Sequence, residues 1–278
     1  MPESMIQHVR RIVKRDLPVF KAFLEVLSIA RGLRSHLDLL GLFFFTLKKR
    51  VLRQSHFRDP FKLEIGDRNG GAVVTVRDMA DITTVAAIFA QDEYASDISR
   101  DKVKTILDLG SNIGVSVAYF RMRYPRAHIY AVEADSTNFK RLKENCKDMN
   151  NVTLIHGAIG DKTGPIEFHS NESSVSGSLY KREGDMNATV IDGFKIDDLV
   201  SRYHIGHIDI LKFDIEGAEF DAFPVSPRTL RETNIAMGEV HPDIGNRSAD
   251  DFIKLFAEYE VKIVPKEKKR FILKASRA

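Results

Sequence analysis

One cysteine in 278 residues excludes an internal disulfide framework and offers no thiolate metal cluster, so a reducing, cytoplasmic setting is expected. Cys146 lies in NFKRLKENCKDM with Phe139, Leu142 and Met149 at helical spacing, which is the pattern of a core thiol. The opening MPESMIQHVRRIVKRDLPV lacks the apolar run and the small-residue cleavage site of a secretory signal, and none is expected. The apolar run in LDLLGLFFFTLKKRVLR supplies about half of the ~20 residues that a bilayer crossing requires, which argues against a transmembrane helix. Internal repeats, long linkers and nucleic-acid recognition motifs are also missing, and no nucleic-acid partner is expected.

What remains is a chain able to bury a full core, with 43% hydrophobic and 29% charged residues. Its net charge of +3 is unevenly spread. Residues 1–58 carry 12 Lys and Arg against 4 Asp and Glu, net +8, and residues 59–278 carry net −5. The basic part reads as a helical extension broken at Pro18 and at Gly32 and Gly41. It can pack as an arm on the main domain or a partner. Alternatively, residues 37–53, apolar and then basic, can lie peripherally on an anionic membrane surface. The expected division is an extension over 1–58 and a second domain over 59–278.

From residue 61 strand and helix signals alternate. FKLEIGD and AVVTVRD flank RNGG and read as a hairpin. A helix over DITTVAAIFAQDEY, the strand KTILDLG, a helix over VSVAYFRMRY stopped before Pro125, the strand HIYAVEA, a helix from about Ser136 and the strand VTLIHGAI follow. IDILKFDI and NIAMGEVH give two further buried strands, and YEVKIVPKEKKRFILKAS reads as a hairpin closing the sheet edge. Strands without helical periodicity between amphipathic helices predict a doubly wound α/β fold around a mostly parallel, seven-stranded sheet.

Ligands of such sheets sit beyond the carboxyl ends of the strands. The first such place is Asp108-Leu109-Gly110-Ser111-Asn112-Ile113-Gly114, where Asn112 occupies the position of the second glycine of a dinucleotide fingerprint. The loop instead fits D-x-G-x-x-x-G. Gly110 is expected to let the backbone approach a ligand without phosphate, and Asp108 suits a cationic group, although it can also simply order the loop. Glu133 ends the next strand, where a carboxylate accepts both ribose hydroxyls. Adenosine with a cationic, phosphate-free tail describes S-adenosylmethionine.

With LDLGSNIGVSVAYF, IYAVEAD, VTLIHGAIGDKTG, SSVSGSLY, DILKFDIEGAE and EVH, the sequence resembles the class I, Rossmann-like S-adenosylmethionine-dependent methyltransferases and more narrowly the FkbM family, over about residues 72–245. The resemblance implies that Gly110 and the backbone of Ser111, Asn112 and Gly114 hold the methionine end, that Glu133 takes the ribose, and that adenine lies against Ala134, Ala158, Ile159 and Asp161. Asp161 can alternatively cap the turn at DKTG. The implied activity is O-methylation of a hydroxyl on a sugar, glycan or other hydroxylated small molecule. An RNA methyltransferase recruited by the basic arm and a non-catalytic cofactor-binding scaffold are the alternatives.

Candidate catalytic residues cluster after the fourth and fifth sheet strands. His241 is the expected base, titrating near neutrality and oriented by Glu239 or Asp214. Glu216 adds a further carboxylate, and Lys212, on the same strand face as Asp214, is expected to neutralise these acids. If a divalent metal is used, Asp214, Glu239 and His241 are the candidate ligands. The serine- and glycine-rich insertion HSNESSVSGSLYKREGDMNATV reads as a mobile lid, with Ser176 and Ser178 as candidate acceptor contacts.

Overall fold

A computed structural model describes residues 17–52, 59–67, 70–170, 179, 187–266 and 269–277. The chain divides into two compact units, Met1–Ala95 and Ser96–Ala278, so the hairpin after residue 59 groups with the helical extension.

The described part of the first unit opens with a helical stretch, α1 (17–29), that contains Pro18, followed by α2 (Gly32–Leu52). Gly41 lies inside α2, so the expected break at Gly41 is absent. The chain leaves helix at Ala30 and Arg31, and Gly32, with φ of +73°, opens α2. α2 buries Leu39 and Leu42 and leaves Leu33, Leu37, Leu40 and Phe44 exposed along one stripe. Among the described residues no helix is long and apolar enough to cross a membrane. The expected hairpin forms as β1 (Phe61–Asp67) and β2 (Gly70–Val76), antiparallel with Leu63 paired to Val74. α3 (Met79–Val85) follows, capped by Asp78, whose side chain accepts from the amides of Ala80 and Asp81; it runs into a π turn over Ala86–Ala90.

The second unit is built on a seven-stranded sheet. Its first strands are β3 (Thr105–Leu109), β4 (His128–Glu133) and β5 (Val152–His156), linked by α4 (Val115–Arg123) and α5 (Ser136–Cys146). The expected strand VTLIHGAI is divided at Gly157. A Cβ there would meet the Phe194 ring at 2.7 Å and the Asp192 carbonyl at 2.8 Å. Beyond it β6 (Ala158–Ile159) joins β7 (Gly164–Ser170) and β8 (Asn187–Phe194) in a separate small sheet of order β6-β8-β7. Both ends of the serine-rich insertion are thus strands rather than lid. Ser176 and Ser178 lie outside the described residues.

α6 (Ile196–Arg202), β9 (Ile208–Phe213), the short helices α7 (Glu219–Ala222) and α8 (Pro227–Arg231), β10 (Thr233–Val240), α9 (Ala249–Lys254), β11 (Glu260–Pro265) and β12 (Phe271–Ser276) complete the unit. The large sheet has the order β11-β12-β10-β9-β3-β4-β5. β5, β4, β3, β9 and β10 are mutually parallel, and β12 runs antiparallel between β10 and β11. This is the expected doubly wound, mostly parallel seven-stranded fold, with the C-terminal hairpin at its edge. Leu107, Leu109, Leu211 and Phe213 on the central strands pack into one core with Phe223, Phe252 and Phe256. Burial of that aliphatic and aromatic surface, at about 25 cal/mol per Å², holds the strand ends rigidly enough to carry a site.

Candidate active site

The chain leaves β3 through the turn from Gly110 to Gly114. Gly110 adopts φ of +75°, and a Cβ there would stand 1.9 Å from the Asp214 carbonyl oxygen. Gly114 adopts φ of +92°, with Leu142 Cδ1 2.9 Å and Cys146 Sγ 3.5 Å from the position of a Cβ. Both glycines answer to protein neighbours, where the sequence reading gave Gly110 to a ligand. Cys146 is the expected core thiol, and burial pushes it up to about 12. The turn's amides are also committed. Gly110 and Ser111 N–H groups both donate to Val132 O at 2.9 Å, Gly114 N–H donates to Ser111 O at 2.8 Å, and Asn112 N–H donates to Glu133 Oε2 at 2.8 Å. A pyrophosphate needs such amides for itself, so the turn is unsuited to a dinucleotide.

Asp108 is fully buried behind the turn. Its Oδ2 accepts from Ser116 Oγ at 2.6 Å, and Lys212 Nζ lies 3.0 Å from Oδ1. Lys212 occupies the paired position on β9 and donates to the carbonyl oxygens of Gly110 at 2.6 Å and Leu109 at 3.3 Å. Asp108 thus takes the second of its two expected roles, ordering the loop from below. Lys212 neutralises Asp108, where the acids after β9 were expected as its partners.

Glu133 ends β4 with only 8% of its surface exposed. Its Oε1 accepts the Asp135 amide at 2.8 Å and its Oε2 the Asn112 amide at the same distance. Burial pushes its carboxyl up to about 7, against the opposing pull of those two amides. Each oxygen keeps a lone pair for a ligand. Gly110, Asn112, Glu133, Ala134, Ala158 and Ile159, six of the ten predicted cofactor residues, line one cleft. Asp108, Ser111 and Gly114 shape the turn without lining that cleft, and Asp161 is exposed outside it.

The same cleft reaches Asp214, Ile215 and Glu216 just after β9. Glu216 holds φ of +53° and Gly217 φ of +102°, a sharp bend that returns the chain into α7. His241 follows β10 and is 1% exposed. Its Nδ1 lies 2.9 Å from Glu219 Oε1, while its Nε2 lies 3.6 Å from Glu239 Oε1, 3.8 Å from Asp214 Oδ1 and 3.9 Å from Glu216 Oε2. Burial pulls the imidazole pKa down, but the Glu219 hydrogen bond and the charges of Glu219, Asp214 and Glu216 outweigh it and raise it to about 9. With no cation among them, the surrounding carboxylates favour the charged imidazole, the direction opposite to that of a base freed near neutrality.

The orienting partner is Glu219, wholly buried, rather than Glu239 or Asp214. Glu239 also pairs with cations, Lys266 Nζ lying 3.0 Å and Arg270 Nη1 3.8 Å from its oxygens. Among the described residues, Asp214, Glu216 and His241 have candidate ligand atoms that all lie within 4.8 Å of one another, a grouping with Glu216 in the place expected of Glu239. Sequence reasoning also missed Phe168 and Leu179 as apolar walls of the cleft. The alternation in PIEFHS, which puts Ile166 and Phe168 on one face of a strand, was the available signal.

The family description "Methyltransferase FkbM domain" matches residues 108–263, more than half of the chain. The chain is similar to the 2-O-methyltransferase NoeI of Sinorhizobium fredii, with 27% identity over 150 residues, 48% of this chain and 62% of NoeI. It thus spans less than two thirds of that relative's length. It is also similar to the hexuronic acid methyltransferase AglP of Haloferax volcanii, with 24% identity over 185 residues, 66% of this chain and 71% of AglP. Among solved structures it is similar to an FkbM methyltransferase from Methylobacillus flagellatus, with a TM-score of 0.48 and 15% identity over 95% of this chain and 60% of that one.

Proposed function

The chain belongs to the FkbM family of methyltransferases, and from that premise we propose that its cleft binds S-adenosylmethionine and passes the methyl group to a hydroxyl of a saccharide. The observation that carries the reading is Glu133, held in the cleft by two backbone amides and opposite Asp214 and Glu216. A carboxylate fixed in this way accepts ribose hydroxyls without reorganising. Ala134, Ala158, Ile159 and Phe168 supply apolar surface for an adenine ring.

Methyl transfer from a sulfonium is an in-line displacement, so catalysis rests on aligning the acceptor oxygen, methyl carbon and sulfur at ~3–3.5 Å and excluding water. Asp214 and Glu216, the acids that line the cleft after β9, are its candidates to take the proton of an acceptor hydroxyl. O-methylation is supported by the name of one relative, and a sugar-acid acceptor by the name of the other.

Calorimetry with S-adenosylhomocysteine, paired with NAD as the pyrophosphate control, tests the cofactor half. Saturable heat is expected with the first and none with the second; the reverse overturns the reading. Tritiated S-adenosylmethionine incubated with a saccharide panel and a cell extract tests the acceptor half. Label in saccharide supports it, whereas label lost on ribonuclease treatment transfers the activity to RNA.

A further inference from the structure

We propose that Asp214, Glu216 and His241 form a binding site for a divalent cation beside the end of the cleft that follows β9. Their three ligand atoms lie within 4.8 Å of one another. His241 Nε2 stands 3.8 Å from Asp214 Oδ1 and 3.9 Å from Glu216 Oε2, too far for hydrogen bonds. Two atoms bound to one cation at ~2.1 Å stand at most about 4.2 Å apart, so the imidazole–carboxylate separations fit a shared ion.

The imidazole gives an independent indication. It is 1% exposed, yet the nitrogen it aims among the carboxylates has none of them at hydrogen-bond distance. Its other nitrogen is fixed by buried Glu219 at 2.9 Å, the carboxylate–histidine relay that orients a metal ligand. Asp214 Oδ1 is itself buried with no hydrogen-bond partner among the described residues. Lys266 and Arg270 engage Glu239, which removes that carboxylate from the ligand set. Two carboxylates with one imidazole form a mixed hard and borderline set, suited to Mn²⁺ or Mg²⁺. Three protein ligands leave coordination positions open to a hydroxylated acceptor.

As a catalytic element this site rests on the methyl-transfer reading. A cation held there would lower the pKa of a bound acceptor hydroxyl, whose proton would leave to solvent water. The oxygen then forms a bond to the methyl carbon as the carbon–sulfur bond breaks, and sulfur keeps the electron pair as a neutral thioether. No oxidant or reductant is needed.

The test is titration of the chelator-stripped full chain with MnCl₂, read as loss of the free-ion signal in electron paramagnetic resonance. One ion per chain is expected, with affinity falling at least tenfold in Asp214→Asn and in Glu216→Gln, each checked for an unchanged melting temperature. Glu219→Gln should weaken binding without abolishing it, because it only positions the ring. No binding by the native chain at millimolar MnCl₂, or equal binding by both carboxylate variants, overturns the site. Binding that follows this pattern in a protein inactive toward every saccharide leaves the site standing and removes the saccharide acceptor instead.

A separate observation concerns the first unit, and from it we infer that α1 and α2 form a surface for an anionic lipid bilayer. α2 exposes Leu33, Leu37, Leu40 and Phe44 at i, i+4, i+7 and i+11, with Phe44 64% exposed and Leu33 77%. α1 adds exposed Leu17, Phe20 and Leu24, and Phe20 contacts Phe43 with ring centroids 5.8 Å apart. The heptad-like spacing would also suit a second copy of the chain, but residues 1–58 carry net +8 and would repel their own kind. Anionic headgroups complement that charge, each Lys or Arg near them adding about 1 kcal/mol. Sedimentation with vesicles containing 30% phosphatidylglycerol should capture the full chain, with at least tenfold less capture by pure phosphatidylcholine vesicles or by the Leu37→Glu/Phe44→Glu variant. Equal capture by neutral vesicles, or a dimer in solution that the double variant dissolves, overturns this surface.

Discussion

At the end of β4 the cleft presents one carboxylate whose oxygens are each met by a backbone amide; after β9 it presents Asp214 and Glu216, which face a buried imidazole, His241, that follows β10 behind the lining. The first arrangement is complete within the fold and leaves lone pairs for neutral hydroxyls. The second gathers carboxylates around one imidazole and leaves Asp214 Oδ1 buried without a hydrogen-bond partner among the described residues. Behind both lies the Asp108–Lys212 pair, where opposite charges at 3.0 Å compensate each other and do no visible work at the surface. The difference assigns the ends of the cleft to different tasks: holding a nucleoside at one, and ionising a hydroxyl at the other.

The comparison breaks most sharply at Asp214. Asp214→Asn removes the unpartnered carboxylate oxygen while leaving Glu133 and its amides in place. Turnover should fall by roughly 10²- to 10⁴-fold, whether the carboxylate acts as base or ligand, with S-adenosylhomocysteine affinity within twofold of native. Parallel loss of affinity in calorimetry would merge the two ends into one. Next in size is Lys212→Met, which strands the buried Asp108 carboxylate and should cost about 3–5 kcal/mol in urea denaturation. Lys212→Met with Asp108→Asn should recover part of that loss; a single variant as stable as native would refute the anchoring role.

Much of this was legible in sequence because its signals are local. The alternation of strands and helices, the turn after β3, the acid ending β4 and both hairpins each occupy a short window with its own periodicity or turn chemistry. Charge partners were not legible. Asp108 finds Lys212 only because β3 and β9 are adjacent in register, and His241 finds Glu219 through the sharp bend at Glu216 and Gly217 that starts α7. Both reach across more than twenty residues of chain, beyond any local pattern. The glycines misled for the same reason. The sequence shows that Gly110 needs freedom, but not that the Asp214 carbonyl is what fills the space.

A smaller effect sharpens the nucleoside end. Glu133→Ala deletes an acceptor of charge-assisted hydrogen bonds, worth about 1.5–3 kcal/mol, so S-adenosylhomocysteine should bind ten- to hundred-fold more weakly. Turnover at saturating cofactor should change far less than in Asp214→Asn. A Glu133→Ala protein that binds normally but does not turn over would exchange the roles of the two ends.

The smallest effect is set by pH. Burial holds the Glu133 carboxyl near 7 in the folded protein, above its ordinary value of 4.5. If the ionised form accepts the ribose hydroxyls, affinity for S-adenosylhomocysteine is lost as pH falls through 7, by about tenfold at one pH unit below the pKa. Stability of the ligand-free protein moves the other way. A raised carboxyl pKa means the folded state holds its proton more tightly, so this stabilisation is complete below 4.5 and is lost as pH rises to 7, about 3 kcal/mol in all. Glu133→Gln should flatten both trends, seen by calorimetry from pH 6 to 8 and by urea denaturation from pH 4.5 to 8. Native affinity that rises toward low pH would show that the protonated carboxyl is the binding form, and that β4 ends in a hydrogen-bond donor.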